Sequence, residues 1–167
     1  TVFVLPNNKN IVMAAQQCVG LTEKQVVVVP THSIPQGISA MMSVDTAEED
    51  PQAILAAMTE AAAAVTTAQI TYAARDSDFD GFEIHQGDYL ALKEGKLFGT
   101  DTQLDALLEK LAEEGKDASF ISLYYREDVT EEAAQAAGTR FQAVCPDAEI
   151  SVLSGGQPVY YYIISFE

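Results

Sequence analysis

Three asparagines, Asn7, Asn8 and Asn10, crowd into a short polar stretch just after an apolar run that ends at Pro6. Amide side chains at this spacing serve one of two purposes. They cap the first free N–H groups of a helix, or they turn toward an anion at the helix's positive end. A helical period begins at Ile11, so Asn10 is the expected cap. Asn7 and Asn8 are then exposed and free to bind, with Lys9 between Asn8 and Asn10. A second polar loop, Thr31-His32-Ser33-Ile34-Pro35-Gln36-Gly37, also follows a strand ended by proline, and contributes Thr31, Ser33 and Gln36. Two strand–proline–loop units of this kind should lie side by side at one sheet edge, where open α/β sheets form ligand sites. Thr71, Arg75, Gly156, Gln157 and Tyr160, farther along, complete the candidate binding set. Arg75 reads as a binding group or as the structural partner of Asp76, and Gly155-Gly156 permits a close backbone approach or a strained turn.

Other residue types give less. Asp76-Ser77-Asp78-Phe79-Asp80-Gly81 matches the start of a calcium loop, but Gly87 stands where the bidentate glutamate belongs. A hairpin turn rich in Asp and Gly accounts for it. His32 and His85 are too few and too isolated for a zinc site. His32 adjoins Ser33, yet no acid is placed to orient the ring. A Walker-type phosphate loop is missing as well. No catalytic or metal-binding residue is therefore assigned, and the chain alone is expected neither to hold a cofactor nor to transfer phosphate.

The 167 residues are 48% hydrophobic and 20% charged, the composition of a globular chain with a real core. The net charge of −16 repels phosphates and anionic lipid, and no basic stripe offsets it, so nucleic acid is an unsuitable partner. No apolar run reaches the roughly 18 residues that span a bilayer, and no leader is visible. Membrane insertion is not expected. The chain opens on a strand without methionine, which reads as a piece of a longer protein. Cys18 and Cys145 lie far apart, with Cys18 on an apolar helix face, and fit buried, reduced thiols of a cytoplasmic protein.

The elements that must hold these residues follow from periodicity. Val2–Leu5 and Gln25–Pro30 read as strands, the valine run suiting a parallel sheet, with a helix from Ile11 between them. Ile38–Val44 is the next helix, and Asp50-Pro51 opens another to about Val65. From Thr66 the texture changes to strands and Gly-rich hairpins over Ala68–Gly99. A leucine-faced helix follows from Leu104, then a strand over Ser119–Tyr125, and a helix opening at Asp128–Glu132 and running to about Val144. Strands over Glu149–Leu153 and Val159–Phe166 complete the pattern, with Tyr161 facing opposite Tyr160 and Tyr162. The expected fold is α/β: a partial parallel βαβα piece over 1–65, then a mixed α+β lobe with hairpins over 66–167.

LPNNKN (Leu5–Asn10), PTHSIPQG (Pro30–Gly37), TYAARD (Thr71–Asp76) and GGQPVYYY (Gly155–Tyr162) together resemble the C-terminal region of the YloV/FakA family. That family is the dihydroxyacetone-kinase-like large subunit of bacterial fatty acid kinase, and the resemblance covers essentially the whole chain. It implies a DegV-like fold whose first lobe would begin with strands before Thr1. ATP and magnesium would belong to a kinase domain outside this chain. The implied partners are a DegV-type fatty-acid-binding protein and the parent's other domains, with a homodimer left open. DegV proteins hold the fatty acid carboxylate with a serine-rich loop. Here Pro6-Asn7-Asn8-Lys9-Asn10 stands in its place, which argues against fatty-acid binding by this piece. Two functions follow: a non-catalytic docking or assembly domain, or a regulatory module binding an anion or small molecule at loops 6–10 and 31–37.

Overall fold

The computed structural model describes residues 1–79 and 81–167, which divide into two compact units, Thr1–Val65 and Thr66–Glu167. In the first, strand β1 (Val2–Val4) leads through helix α1 (Lys9–Cys18) and a 3-10 turn (Val19–Leu21) to strand β2 (Val26–Val28). The two strands pair in parallel, Phe3 opposite Val27. Helices α2 (Ile34–Met42) and α3 (Pro51–Ala63) follow and pack on each other. Val29, Ala40, Met58 and Ala62 form the buried centre, with Phe3, Leu5, Ile54 and Leu55 against it. Alanine at positions 40 and 62 lets the helices approach closely, while Met58 fills the remaining space.

The helix starts correct two expectations. Asn8, not Asn10, caps α1: its Oδ1 accepts from the Asn10 backbone N–H at 2.9 Å. The helix therefore begins at Lys9, with Asn10 inside its first turn. Helix α2 begins at Ile34, four residues before the expected Ile38, because Ser33 Oγ accepts from Gln36 N at 3.3 Å and Pro35 suits the first turn. Most of the expected second loop is thus helix. The start of α3 is as expected, with Asp50 accepting from Gln52 N at 3.0 Å and Pro51 leading. Cys18 is exposed and only Cys145 is buried. Val12 is the one buried residue of α1, and its last turn carries Cys18 outward.

The second unit is a six-stranded sheet. Its strands are β3 (Thr66–Tyr72), β6 (Tyr89–Lys93), β7 (Lys96–Asp101), β8 (Phe120–Tyr125), β9 (Glu149–Ser154) and β10 (Tyr162–Phe166). In space the order is β7-β6-β3-β10-β8-β9, antiparallel except for the parallel pair β8–β9. A separate hairpin pairs β4 (Ser77–Phe79) with β5 (Phe82–Ile84). Helices α4 (Leu104–Glu113) and α5 (Glu131–Val144) bury Leu107, Leu108, Leu111, Ala134, Ala137 and Phe141 in one cluster with Ile70, Ile121, Leu123, Tyr162 and Ile164. Thr130 caps α5 by accepting from Ala133 N, so that helix starts after the expected Asp128. Every residue of β10 is buried, as suits a central strand. The mixed α/β class expected from the sequence is the class observed.

Two measurements test these assignments. Asn8→Ala should cost about 0.5–2 kcal/mol of stability as the loss of a cap, and Asn10→Ala should stay within about 0.5 kcal/mol as an exposed change; urea unfolding of both decides between them. Burial, with the Asp105 charge adding to it, pushes the Tyr162 phenol up to about 12 from its ordinary 10.0. Because the folded state favours the protonated phenol, this stabilisation is complete below pH 10 and disappears as pH rises toward 12. Melting curves of Tyr162→Phe should therefore fall less steeply than wild type over that window.

Candidate functional site

The parallel pairing of β1 and β2 puts the segments leaving their C-terminal ends next to each other. The contact between them is direct: Asn7 N–H donates to Thr31 Oγ1 at 3.1 Å, and Thr31 is wholly buried. Asn7 holds a left-handed backbone, φ 54°, which asparagine tolerates better than most residues. That conformation turns its side chain onto α2. A Cβ placed on Gly37 would lie 2.2 Å from Asn7 Oδ1, so any larger residue here would have to displace the Asn7 amide. Asn7 Oδ1 is buried with no hydrogen-bond partner among the described residues.

The polar groups singled out in the sequence mostly satisfy one another. Asn8 caps α1 and Ser33 caps α2. Gln36 spans the loop, its Oε1 accepting from His32 N at 2.8 Å and its Nε2 donating to Val65 O at 3.3 Å. Asn10 is exposed on α1. What these residues surround is apolar. Leu5, Asn7, Ile34, Gly37, Ile38, Met41 and Met42 line an open groove of about 420 Å³. Its rim is exposed hydrophobic surface: Ile34 is 50%, Met41 58% and Met42 81% accessible. Sequence reasoning missed these residues, because isoleucine and methionine on a helix beside a sheet read as core. The usable signal was their number: α2 offers more apolar positions than one buried face needs.

The remaining candidates lie in the second unit and serve its own architecture. Gln157 Nε2 donates to Tyr124 O at 2.8 Å and to Tyr160 O at 3.2 Å, tying down the turn before β10. Gly156 takes φ 62°, a conformation glycine adopts without strain. Thr71 Oγ1 donates to Val159 O at 3.3 Å. Arg75 is exposed and makes no ion pair among the described residues. Arg126, not singled out from the sequence, is the better-placed cation. It pairs with Asp128, stacks 3.9 Å from the Tyr161 ring centre, and donates to Val159 O. The Asp128 partner holds the guanidinium pKa above its usual value and its own carboxyl below. Tyr161 in turn meets Tyr89 and Tyr72 edge-on, at 5.3 and 6.3 Å between centroids. Strand β10 begins only at Tyr162, which is buried.

In the suspected calcium stretch, Asp76 Oδ1 accepts from Gln86 N at 2.7 Å, while Asp80 lies outside the described residues. No cluster of three or more His, Cys, Asp or Glu able to hold a metal occurs among the described residues. Nor, among them, is any helix long and apolar enough to cross a membrane. The Asn7–Gly37 contact is testable by a double-mutant cycle. Gly37→Ala should destabilise by about 1–3 kcal/mol through overpacking. Adding Asn7→Gly, which suits φ 54° and removes the clash, should recover most of that loss in thermal melts.

Comparison with known proteins places this geometry. The chain is 36% identical over 169 residues to protein YloV of Bacillus subtilis, covering 100% of this chain and 30% of YloV. An uncharacterized protein of Staphylococcus aureus is 36% identical over 170 residues, with 99% of this chain and 30% of that protein covered. The chain thus spans about 30% of the length of the curated relatives it matches. Among solved structures, the DegV family protein Cg2579 of Corynebacterium glutamicum superposes with TM-score 0.69 at 15% identity, covering 98% of this chain and 72% of that one. The fatty acid kinase B3 protein of Streptococcus pneumoniae, solved with linoleic acid, gives TM-score 0.62 at 14% identity, covering 99% and 70%. These neighbours show a DegV-like fold. The FakA-like C-terminal family model, which describes the C-terminal region of FakA-like fatty acid kinase proteins, matches residues 1–167, and the chain belongs to that family.

Proposed function

We propose that this chain is a non-catalytic, DegV-like docking domain of a fatty acid kinase large subunit. The groove beside α2 would receive an apolar element of the DegV-type protein that carries the fatty acid. One observation carries this reading: Ile34, Ile38, Met41 and Met42 stand exposed around a groove floored by Leu5 and Gly37. Exposed methionines and isoleucines in one patch are costly in water and typical of surfaces that adapt to a partner.

The same details count against an anion or small-molecule site at loops 6–10 and 31–37. Asn8, Thr31 and Gln36 already bond within the fold, and a net charge of −16 opposes any anion. Phosphate transfer, ATP and magnesium would then belong to other domains of a longer cytoplasmic chain.

Calorimetric titration of the chain with a fatty-acid-loaded DegV-type protein tests the proposal. Wild type should bind, and Ile38→Glu or Met42→Glu should weaken binding at least tenfold, about 1.4 kcal/mol. Glu60→Gln, on the exposed side of α3, should leave it unchanged. Equal affinity in the groove variants would sink the assignment of the face. No heat with the protein, but saturable binding of acetate or phosphate, would favour the regulatory reading instead.

A further inference from the structure

The chain has four methionines, and their places in the fold differ sharply. Met58 is 1% exposed and fills the core of the first unit, while Met13, Met41 and Met42 are exposed. Of the exposed three, only Met41 and Met42 line the groove. They complete a stripe along α2 with Ile34 and Ile38, at the spacing of one helix face. Ala40, just before them, is wholly buried against the core and anchors that turn from behind. The turn is closed at its end as well. Ser43 N–H donates to Ser39 O at 3.1 Å, and Ser43 Oγ donates to Ala40 O at 2.8 Å. Two adjacent thioethers therefore stand at the groove rim on ordered backbone, open to solvent.

We infer that Met41 and Met42 are oxidation sites through which peroxide turns docking off. The inference rests on the docking reading and adds the regulation of that same face. The chemistry needs no further group from the protein. A thioether lone pair attacks one peroxide oxygen, the O–O bond breaks and the sulfur–oxygen bond of a sulfoxide forms. The second oxygen leaves as water with both protons, so sulfur loses two electrons and the peroxide gains them. Access to the sulfur decides which methionines react, so Met41 and Met42 are modified while Met58 is shielded. The product is a polar side chain where the groove offers apolar contact. A partner packing there must strip water from the sulfoxide oxygen without supplying a hydrogen bond, which opposes binding. A methionine sulfoxide reductase returns the thioether and with it the apolar face.

The 167-residue chain is treated with hydrogen peroxide, freed of it, and titrated with a fatty-acid-loaded DegV-type protein. Peptide mass spectrometry should find sulfoxide at Met41 and Met42 with Met58 still reduced. Affinity should fall at least tenfold from that of the untreated chain, and reductase treatment should restore it. Met13→Leu should lose affinity on oxidation as wild type does. Met41→Leu/Met42→Leu keeps apolar side chains that peroxide does not attack, and should bind after treatment as it did before. Unchanged binding by wild type fully oxidised at both positions overturns the inference, whatever the variants do. So does an equal loss in Met41→Leu/Met42→Leu, or oxidation of Met58 ahead of the pair. Absence of binding before any peroxide is added sinks the docking reading itself and this regulation with it, so the first titration tells the two failures apart.

Discussion

The parallel ladder between Val2–Val4 and Val26–Val28 fixes what the first unit can do. It sends two chain segments off the same end of the sheet. The Asn7–Thr31 hydrogen bond, the left-handed turn at Asn7 and the contact with Gly37 all follow from that adjacency. The contact in turn sets how closely α2 approaches the first loop. A bulkier residue at position 37 would push the helix or the asparagine away, and the floor of the groove with it. An interaction between two short backbone segments thus decides the shape of a surface made of quite different side chains.

Electrostatics plays a smaller and mostly local part. Several cations pair with nearby acids: Arg140 with Asp105 and Glu109, Lys110 with Asp101, Lys116 with Glu113, Lys93 with Glu114. These pairs are largely exposed and each contributes little to stability. Arg126 differs because its guanidinium is partly sheltered by the Tyr161 ring and reaches Val159 O as well. It ties the loop before β10 to the start of the segment leading into α5. The acidic remainder of the surface disfavours phosphates and anionic lipid.

Much of this was legible in the sequence. Proline-ended apolar runs gave both parallel strands, Asp50-Pro51 gave the start of α3, and the leucine spacing over Leu104–Leu111 gave α4. The motif resemblance led to the family and to the fold class. The capping residue was misplaced because Asn7, Asn8 and Asn10 are chemically alike, and only backbone geometry selects Asn8. Helix α2 was started late because Thr31–Gly37 reads as a polar loop, whereas Ser33 caps the helix and Pro35 suits its first turn. The groove was invisible for a deeper reason. Hydrophobic periodicity says which residues avoid water, but not whether the fold has enough interior to hide them, and α2 has more apolar side chains than its neighbours can cover.

The place of β10 bears on how the second unit comes into being. It is the last strand in the sequence and yet lies between β3 and β8, paired to both. Without β10 the strand order would break into a three-stranded run, β7-β6-β3, and a β8–β9 pair with no strand to join them. Their facing edges and the apolar faces of Ile70, Ile121 and Leu123 would then lack the strand that covers them. The two parts of the sheet are joined only where Tyr162–Phe166 pairs with both, so its completion depends on contacts between β3 and β10 that are far apart in sequence.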